Sequence, residues 1–138
     1  MGNNRLVIVF ALEHYNPLGL IRSLGENGIY PIYFSIKRKY EVATKSKYIS
    51  KLHKADTIEE GYQILINEYG KYSFDNRPYL LFSDDKCLEF FDHKYDEVKN
   101  MFVCFNAQKA DQICKYMDKK KYLIWQKSVV LKFLNHML

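Results

Sequence analysis

The sequence predicts an α/β domain of the three-layer, Rossmann-like kind, with a mostly parallel sheet of four to five strands flanked by helices. Two observations support this prediction. Residues 6–12 form a continuous apolar, β-branched run, which is typical of a strand buried on both faces of a parallel sheet. Further strand patterns then alternate with helical patterns along the chain, and this alternation is characteristic of right-handed parallel α/β sheets.

Each element follows from hydrophobic spacing and from the residues that interrupt it. Segment 13–17 is predicted to be a loop because Asn16 and Pro17 break regular structure. Asp56 or Thr57 is predicted to cap a helix that Gly70 ends. The predicted strands are 6–12, 29–36, 48–52, 77–82 and 102–105, and the predicted helices are 18–25, 58–69, 85–101 and 106 to beyond 117.

Length and composition exclude several classes of protein. A chain of 138 residues with 48% hydrophobic residues holds one cored domain, or one domain with part of another, and has no disorder signature. No apolar run approaches the roughly 18–20 residues that span a bilayer. The run at 6–12 is too short for a secretory signal and is followed by Glu13 and His14. The expected location is cytoplasmic, with no membrane partner.

Charge and cysteine content point away from nucleic acid and metal. The net charge is +5, but the basic runs 37–39 and 119–121 are short and lie beside tyrosines, which favours a solvated face over a nucleic-acid surface. Three cysteines with no CxxC spacing favour reduced thiols over a disulfide scaffold or a zinc site. No metal ligand and no catalytic residue is predicted.

Ligands of parallel α/β sheets gather outside the carboxyl ends of the strands, which directs attention to loops 13–19, 37–46 and 83–85. The first of these enters a helix N-terminus, where free N–H groups and the dipole favour anions. Asn16 can donate to a ligand there and Gly19 would allow close backbone approach. The loop lacks GxGxxG, so a dinucleotide fingerprint is absent. The alternative is an ordinary loop without a ligand.

Five further residues are candidates for substrate binding, each with a simpler alternative. Glu13 and His14 follow the first strand, and His14 can exchange a proton near neutral pH or be a bystander. Arg22 can bind phosphate or carboxylate, or form a surface ion pair. Ser83 and Asp84 follow the 77–82 strand, where Asp84 with Asp85 either binds magnesium or, as the sequence favours, one residue caps the next helix.

Four short segments follow one another along the chain: GLIRSLGENGI at 19–29, SKYI at 46–49, LLFSDD at 80–85 and MDKKKY at 117–122. In this order they resemble the N-terminal domain of ATP-grasp enzymes of the carbamoyl-phosphate-synthase-like, carboxylate–amine ligase group. The first is similar to the family's GL-x-x-RSLG-x-x-GI and the second to its S-x-Y. The third is similar to a strand ending in (T/S)-(S/D)-(D/E), and the fourth to the Asp-Lys that leads into the ATP-grasp domain. The order and spacing of the four are more specific than any one of them.

The resemblance implies a pre-ATP-grasp domain at 1–117, followed at 118–138 by a linker helix and the stub of an ATP-grasp domain. A full-length relative would activate a carboxylate with ATP and transfer it to an amine, so the implied partner is a small-molecule carboxylate or amine. ATP and magnesium are implied for that relative alone, because the subdomains that bind them are not matched here. The resemblance also implies that the turn at Asp84, after the 77–82 strand, faces the substrate cleft. We expect this segment to have no ligase activity by itself.

The last residues depart from the family pattern. Read one base earlier, allowed codons for residues 128–134 can encode Cys-Gly-Phe-Lys-Ile-Pro, which fits that pattern, so a frameshift is one hypothesis for the tail. A natural short gene is the alternative. Two other functions also stay open, namely a stand-alone module that binds a nucleotide or small anion, and an oligomerisation domain that forms a homodimer.

Overall fold

The computed structural model describes residues 5–104. Its elements are β1 (Val7–Leu12), α1 (Tyr15–Glu26), β2 (Ile32–Ile36), β3 (Lys51–Ala55), α2 (Ile58–Tyr69), β4 (Tyr79–Phe82), α3 (Asp85–His93), α4 (Tyr95–Val98) and β5 (Val103–Cys104), with 3-10 helices at Ala43–Lys45 and Phe74–Asn76. Several predictions fall on residues outside this range. They concern the helix after residue 105, Cys114, the motif at 117–122, the basic run 119–121 and the unit 118–138.

The five strands form one sheet in the order β3-β2-β1-β4-β5, and every pairing is parallel. This confirms the predicted fold class. Strand β1 occupies the centre, pairing Ile8 with Ile32 of β2 on one side and with Leu80 of β4 on the other. Because both faces of β1 are covered, its apolar run is continuous rather than alternating.

Helices cover both faces of the sheet, which makes three layers. On one face, Val9 of β1 packs in a cluster with Ile21 and Leu24 of α1. On the other face, Phe10 packs in a cluster with Leu65 of α2 and Phe91 of α3. Successive residues of a strand point to opposite faces, so β1 contributes alternate side chains to the two cores. Among residues 5–104, no helix is long and apolar enough to cross a membrane.

Two predicted boundaries near the carboxyl edge of the sheet are wrong. The predicted loop at 13–17 is largely helix, since α1 begins at Tyr15. Pro17 lies in its first turn, where a missing N–H costs nothing. Strand β3 spans Lys51–Ala55 rather than 48–52. It is an edge strand with exposed Lys51 and Lys54, so its polar side chains concealed it in the sequence.

Other boundaries differ by smaller amounts. Strands β2 and β4 begin two to three residues later than predicted, just after Pro31 and Pro78. The helix predicted over 85–101 is divided at Lys94 into α3 and α4. The predicted cap of α2 is confirmed at Thr57, whose side chain accepts a hydrogen bond of 3.1 Å from the N–H of Glu60, and Gly70 ends that helix.

Candidate functional site

The order of the strands locates a crevice at the carboxyl edge of the sheet. After β1 the chain turns into α1 on one face, and after β4 it turns into α3 on the opposite face. Strands β1 and β4 are neighbours, so the two connections diverge between them. Ligands of open α/β sheets bind at such a switch point.

A cleft of about 660 Å³ lies over this crevice. Its lining comes from the ends of β1 and β2, the loop after β4 and the first turns of α1, α2 and α3. Three helix N-termini therefore meet at one edge of the sheet. Each carries a partial positive charge from its unpaired N–H groups.

The N-terminus of α1 differs from the other two because no side chain caps it. Its N-cap residue, His14, has extended backbone geometry and makes no capping hydrogen bond, and its first turn holds no acidic residue. By contrast, Thr57 caps α2 and Asp84 caps α3, and both of those helices have acidic first turns. The first N–H groups of α1 are thus available to an anion in the cleft.

Ser83 adds a polar group to the same cleft. Its residue is only 3% exposed, and its Oγ has no hydrogen-bond partner among residues 5–104. It lines the cleft, immediately after β4. A buried hydroxyl without a partner costs about 1–3 kcal/mol, so a ligand or water at this position would recover that energy.

Asp84 is held by backbone groups on both sides of the crevice. Its Oδ1 accepts the N–H of Cys87 at 2.8 Å, and its Oδ2 accepts the N–H of Leu12 at 2.9 Å. Burial raises the pKa of its carboxyl group, while these two hydrogen bonds act in the opposite direction. The cap predicted for this corner is therefore confirmed at Asp84. Within the described residues, no group of three or more His, Cys, Asp or Glu side chains could hold a metal ion.

Glu13 is turned away from the cleft. Its carboxylate is buried and accepts the hydroxyl of Tyr33 at 2.7 Å and that of Ser35 at 3.3 Å. The N–H of Thr44 at 3.3 Å and the N–H of Val42 complete its contacts. Burial, and then the bond to Glu13, raises the pKa of Tyr33 far above its usual range. Glu13 thus anchors the loop after β2.

The remaining predicted site residues fall into two groups. His14 and Asn16 are exposed and line the cleft with Ser83 and Asp84. Gly19 and Arg22 are exposed on the body of α1, and neither is among the described residues that line the cleft. The structure therefore brings four of the seven predicted residues together. Substrate binding by any of them stays a prediction.

Several lining residues were not among the predicted site residues. Lys37 and Arg38 follow β2, in a loop (37–46) that was predicted to lie near a ligand without any single residue being chosen. Lys86 lies in the first turn of α3. Asp56 and Thr57 were considered only as caps, because the predicted third strand ended at residue 52. Extending that strand to Ala55 would have placed Asp56 at the carboxyl edge of the sheet.

Comparison of the chain with protein-family models, with curated proteins and with solved structures found no match. The similarity to ATP-grasp N-terminal domains therefore rests on the four sequence segments alone. Of these, 19–29 forms most of α1 and the turn toward β2, and 46–49 is separated from β3 by Ser50 alone. Segment 80–85 runs from β4 into α3, so it contributes Ser83 and Asp84 to the cleft.

Proposed function

We propose that this domain binds a small molecule bearing a carboxylate or phosphate in the cleft between β1 and β4. The observation that supports this most directly is the buried hydroxyl of Ser83, unpartnered among residues 5–104, in a cleft that the uncapped N-terminus of α1 also lines. A hydroxyl and two backbone N–H groups supply donors that an anionic oxygen requires.

Both basic and acidic side chains line the cleft. Lys37, Arg38 and Lys86 are exposed and attract an anion, whereas Asp56, Glu59 and Asp85 oppose one. The negative charge of Asp84 opposes an anion, but both of its carboxylate oxygens already accept backbone N–H groups. Its charge is thereby partly compensated within the protein.

We further propose that the domain serves as the substrate-side wall of an ATP-grasp carboxylate–amine ligase. The support is the sequence resemblance, together with the position of segment 80–85 at the cleft. In this role the α1 N-terminus and Ser83 hold the carboxylate or phosphate of the substrate. ATP and magnesium would be bound by the subdomains that follow this segment in the family.

The test is a titration of the full 138-residue chain with acetate and with inorganic phosphate, followed by backbone amide NMR. We expect the amide signals of Tyr15 and Asn16 to shift on binding. Ser83→Ala should weaken binding about tenfold, since it removes one hydrogen bond to a charged group. Ser50→Ala is the matched control, because Ser50 is exposed and does not line the cleft.

Two results would contradict the proposal. One is that neither acetate nor phosphate binds below the concentration at which anions bind exposed lysines nonspecifically. The other is binding that Ser83→Ala and Ser50→Ala affect equally. A separate assay with added ATP and magnesium measures ATP hydrolysis by the chain. The substrate-side role predicts no hydrolysis by this segment.

A further inference from the structure

A second pocket adjoins the cleft at the carboxyl ends of β2 and β3. It has a volume of about 360 Å³. Lys37, Arg38 and Lys39, from the loop after β2, line it together with Lys54 at the end of β3. Lys37, Arg38 and Asp56 line both spaces, so the pocket and the cleft adjoin, and we call the two together the trough.

The acidic residues of the second pocket are largely engaged by the protein itself. The Glu13 carboxylate accepts hydrogen bonds from two hydroxyls and two backbone N–H groups. Glu41 pairs with Lys54 at 2.7 Å. Lys37 and Arg38 have no ion-pair partner among residues 5–104. Of the acids in the described lining of the second pocket, Asp56 alone remains to oppose them. The second pocket is therefore the basic end of the trough.

The strand order gives the separation of the two ends. Ser83 follows β4, Lys37 and Arg38 follow β2, and β1 lies between these two strands. The ends of β4 and β2 are thus two strand spacings apart. At about 4.8 Å for each spacing, the two ends are about 10 Å apart, which is longer than a short dicarboxylate such as succinate.

Between the two ends the trough has apolar lining. Leu12 at the end of β1, Ile36 at the end of β2 and Ile58 at the start of α2 all line the cleft. Leu12 and Ile58 are partly exposed, so their side chains are accessible to a ligand. Apolar contact favours an apolar middle section in whatever molecule lies across them.

We propose that the ligand is an elongated small molecule with an apolar middle and an anionic group at each end. One anionic group binds at the α1 N-terminus and Ser83, and the other binds at Lys37 and Arg38. This inference rests on the proposed anion site in the cleft and specifies the class of molecule that the site accepts.

The experiment measures the affinity of the full chain for linear α,ω-dicarboxylates of increasing length, from succinate through adipate and suberate to dodecanedioate. Each is compared with the monocarboxylate of the same carbon number, which controls for apolar contact. We expect affinity to peak at an intermediate length near suberate or sebacate. At that length the dicarboxylate should bind at least tenfold more tightly than its monocarboxylate partner.

Charge variants separate the two ends of the trough. Lys37→Gln/Arg38→Gln should reduce the affinity for the best dicarboxylate to that for its monocarboxylate, and should weaken acetate binding by a smaller factor, because both side chains also line the cleft. Lys47→Gln/Lys71→Gln makes the same change in net charge at two exposed residues outside both spaces, and should preserve the length preference. Circular dichroism of each variant verifies that it is folded.

The outcomes distinguish this inference from the proposed function. If acetate and phosphate bind in a Ser83-dependent manner but dicarboxylates show no length preference, the two-ended ligand is wrong and the anion site in the cleft stands. If the preference persists in the Lys37→Gln/Arg38→Gln variant, the basic end is wrong. If no anion binds at all, both the anion site and this inference are overturned.

Discussion

Asp84 Oδ2 accepts the backbone N–H of Leu12 at 2.9 Å, so the residue that caps α3 also holds the end of β1. The bond joins two segments that are 72 residues apart in sequence. It crosses the switch point of the sheet, where the connections after β1 and β4 diverge. The edge of the candidate site is therefore stabilised by the same side chain that caps α3.

Asp84→Ala should destabilise the domain by about 2–3 kcal/mol. Loss of an N-cap costs about 1 kcal/mol, and the N–H of Leu12 would lose its partner in a partly buried position at a further cost of about 1–2 kcal/mol. Asp84→Asn keeps one acceptor oxygen and should lose less. Urea unfolding monitored by circular dichroism measures both. A loss of only about 1 kcal/mol in Asp84→Ala, with almost none in Asp84→Asn, would show that the bond to Leu12 contributes nothing beyond the cap.

Glu13→Gln should destabilise the domain by about 2–4 kcal/mol and loosen the loop after β2. A glutamine amide can still accept the Tyr33 hydroxyl, but its NH2 group would face the N–H groups of Val42 and Thr44. Limited trypsin digestion should then cleave faster after residues 37–39.

The control for this loop is Glu41→Gln, which removes an exposed ion pair with Lys54 and should change stability little. Cleavage at the wild-type rate in Glu13→Gln would mean that the carboxylate does not hold the loop. A similar loss of stability in Glu41→Gln would point to general surface electrostatics instead.

Local sequence signals predicted the layers of the fold but only part of the site. The apolar run of β1 and the Thr57 cap depend on neighbours a few residues away, so they could be found from the sequence. The role of Glu13 depends on Tyr33 and on the loop near Thr44, which become its neighbours only in the folded chain. A glutamate after a strand therefore looked like a candidate ligand-binding residue.

Edge strand β3 shows why the lining at Asp56 was missed. A central strand is recognised in a sequence by its apolar residues. Strand β3 has only one neighbouring strand and partly exposed faces, and it carries the polar residues Lys51, His53 and Lys54. The periodicity of such a strand is weak, and its end was predicted three residues too early. The unpartnered state of the Ser83 hydroxyl is likewise invisible in the sequence, because it depends on what surrounds the side chain.

Two glycines on α1 should respond oppositely to alanine. A Cβ at Gly25 would lie 2.1 Å from Cγ of Tyr48, so the tyrosine ring must move and we expect a loss of about 1–3 kcal/mol. A Cβ at Gly19 would meet nothing within 4 Å, and alanine should stabilise the helix by about 0.5–1 kcal/mol. Thermal unfolding of both variants tests the packing of α1 on the segment before β3. A loss at Gly19 equal to that at Gly25 would contradict it.

His53 should make the domain less stable as the pH falls below neutrality. Its ring stacks on Phe34 with centroids 4.5 Å apart, and its Nε2 lies 2.7 Å from the hydroxyl of Tyr69. Burial, followed by the charge of Lys51, lowers the pKa of His53 below its usual 6.5. The unfolded chain therefore binds a proton at a higher pH than the folded chain does. The stability contributed by neutral His53 is complete above the unfolded pKa and is lost as the pH falls through the folded pKa.

The measurement is urea unfolding of wild type and His53→Phe at several pH values from 7.5 to 5. This range begins above the usual histidine pKa of about 6.5 and extends below it. Phenylalanine keeps the stacking on Phe34 but cannot titrate, so its stability should fall less with pH than that of wild type. The comparison uses the difference between the two slopes, because loss of the bond to Tyr69 lowers the stability of the variant at every pH. Parallel curves would show that His53 does not contribute to the acid sensitivity of the domain.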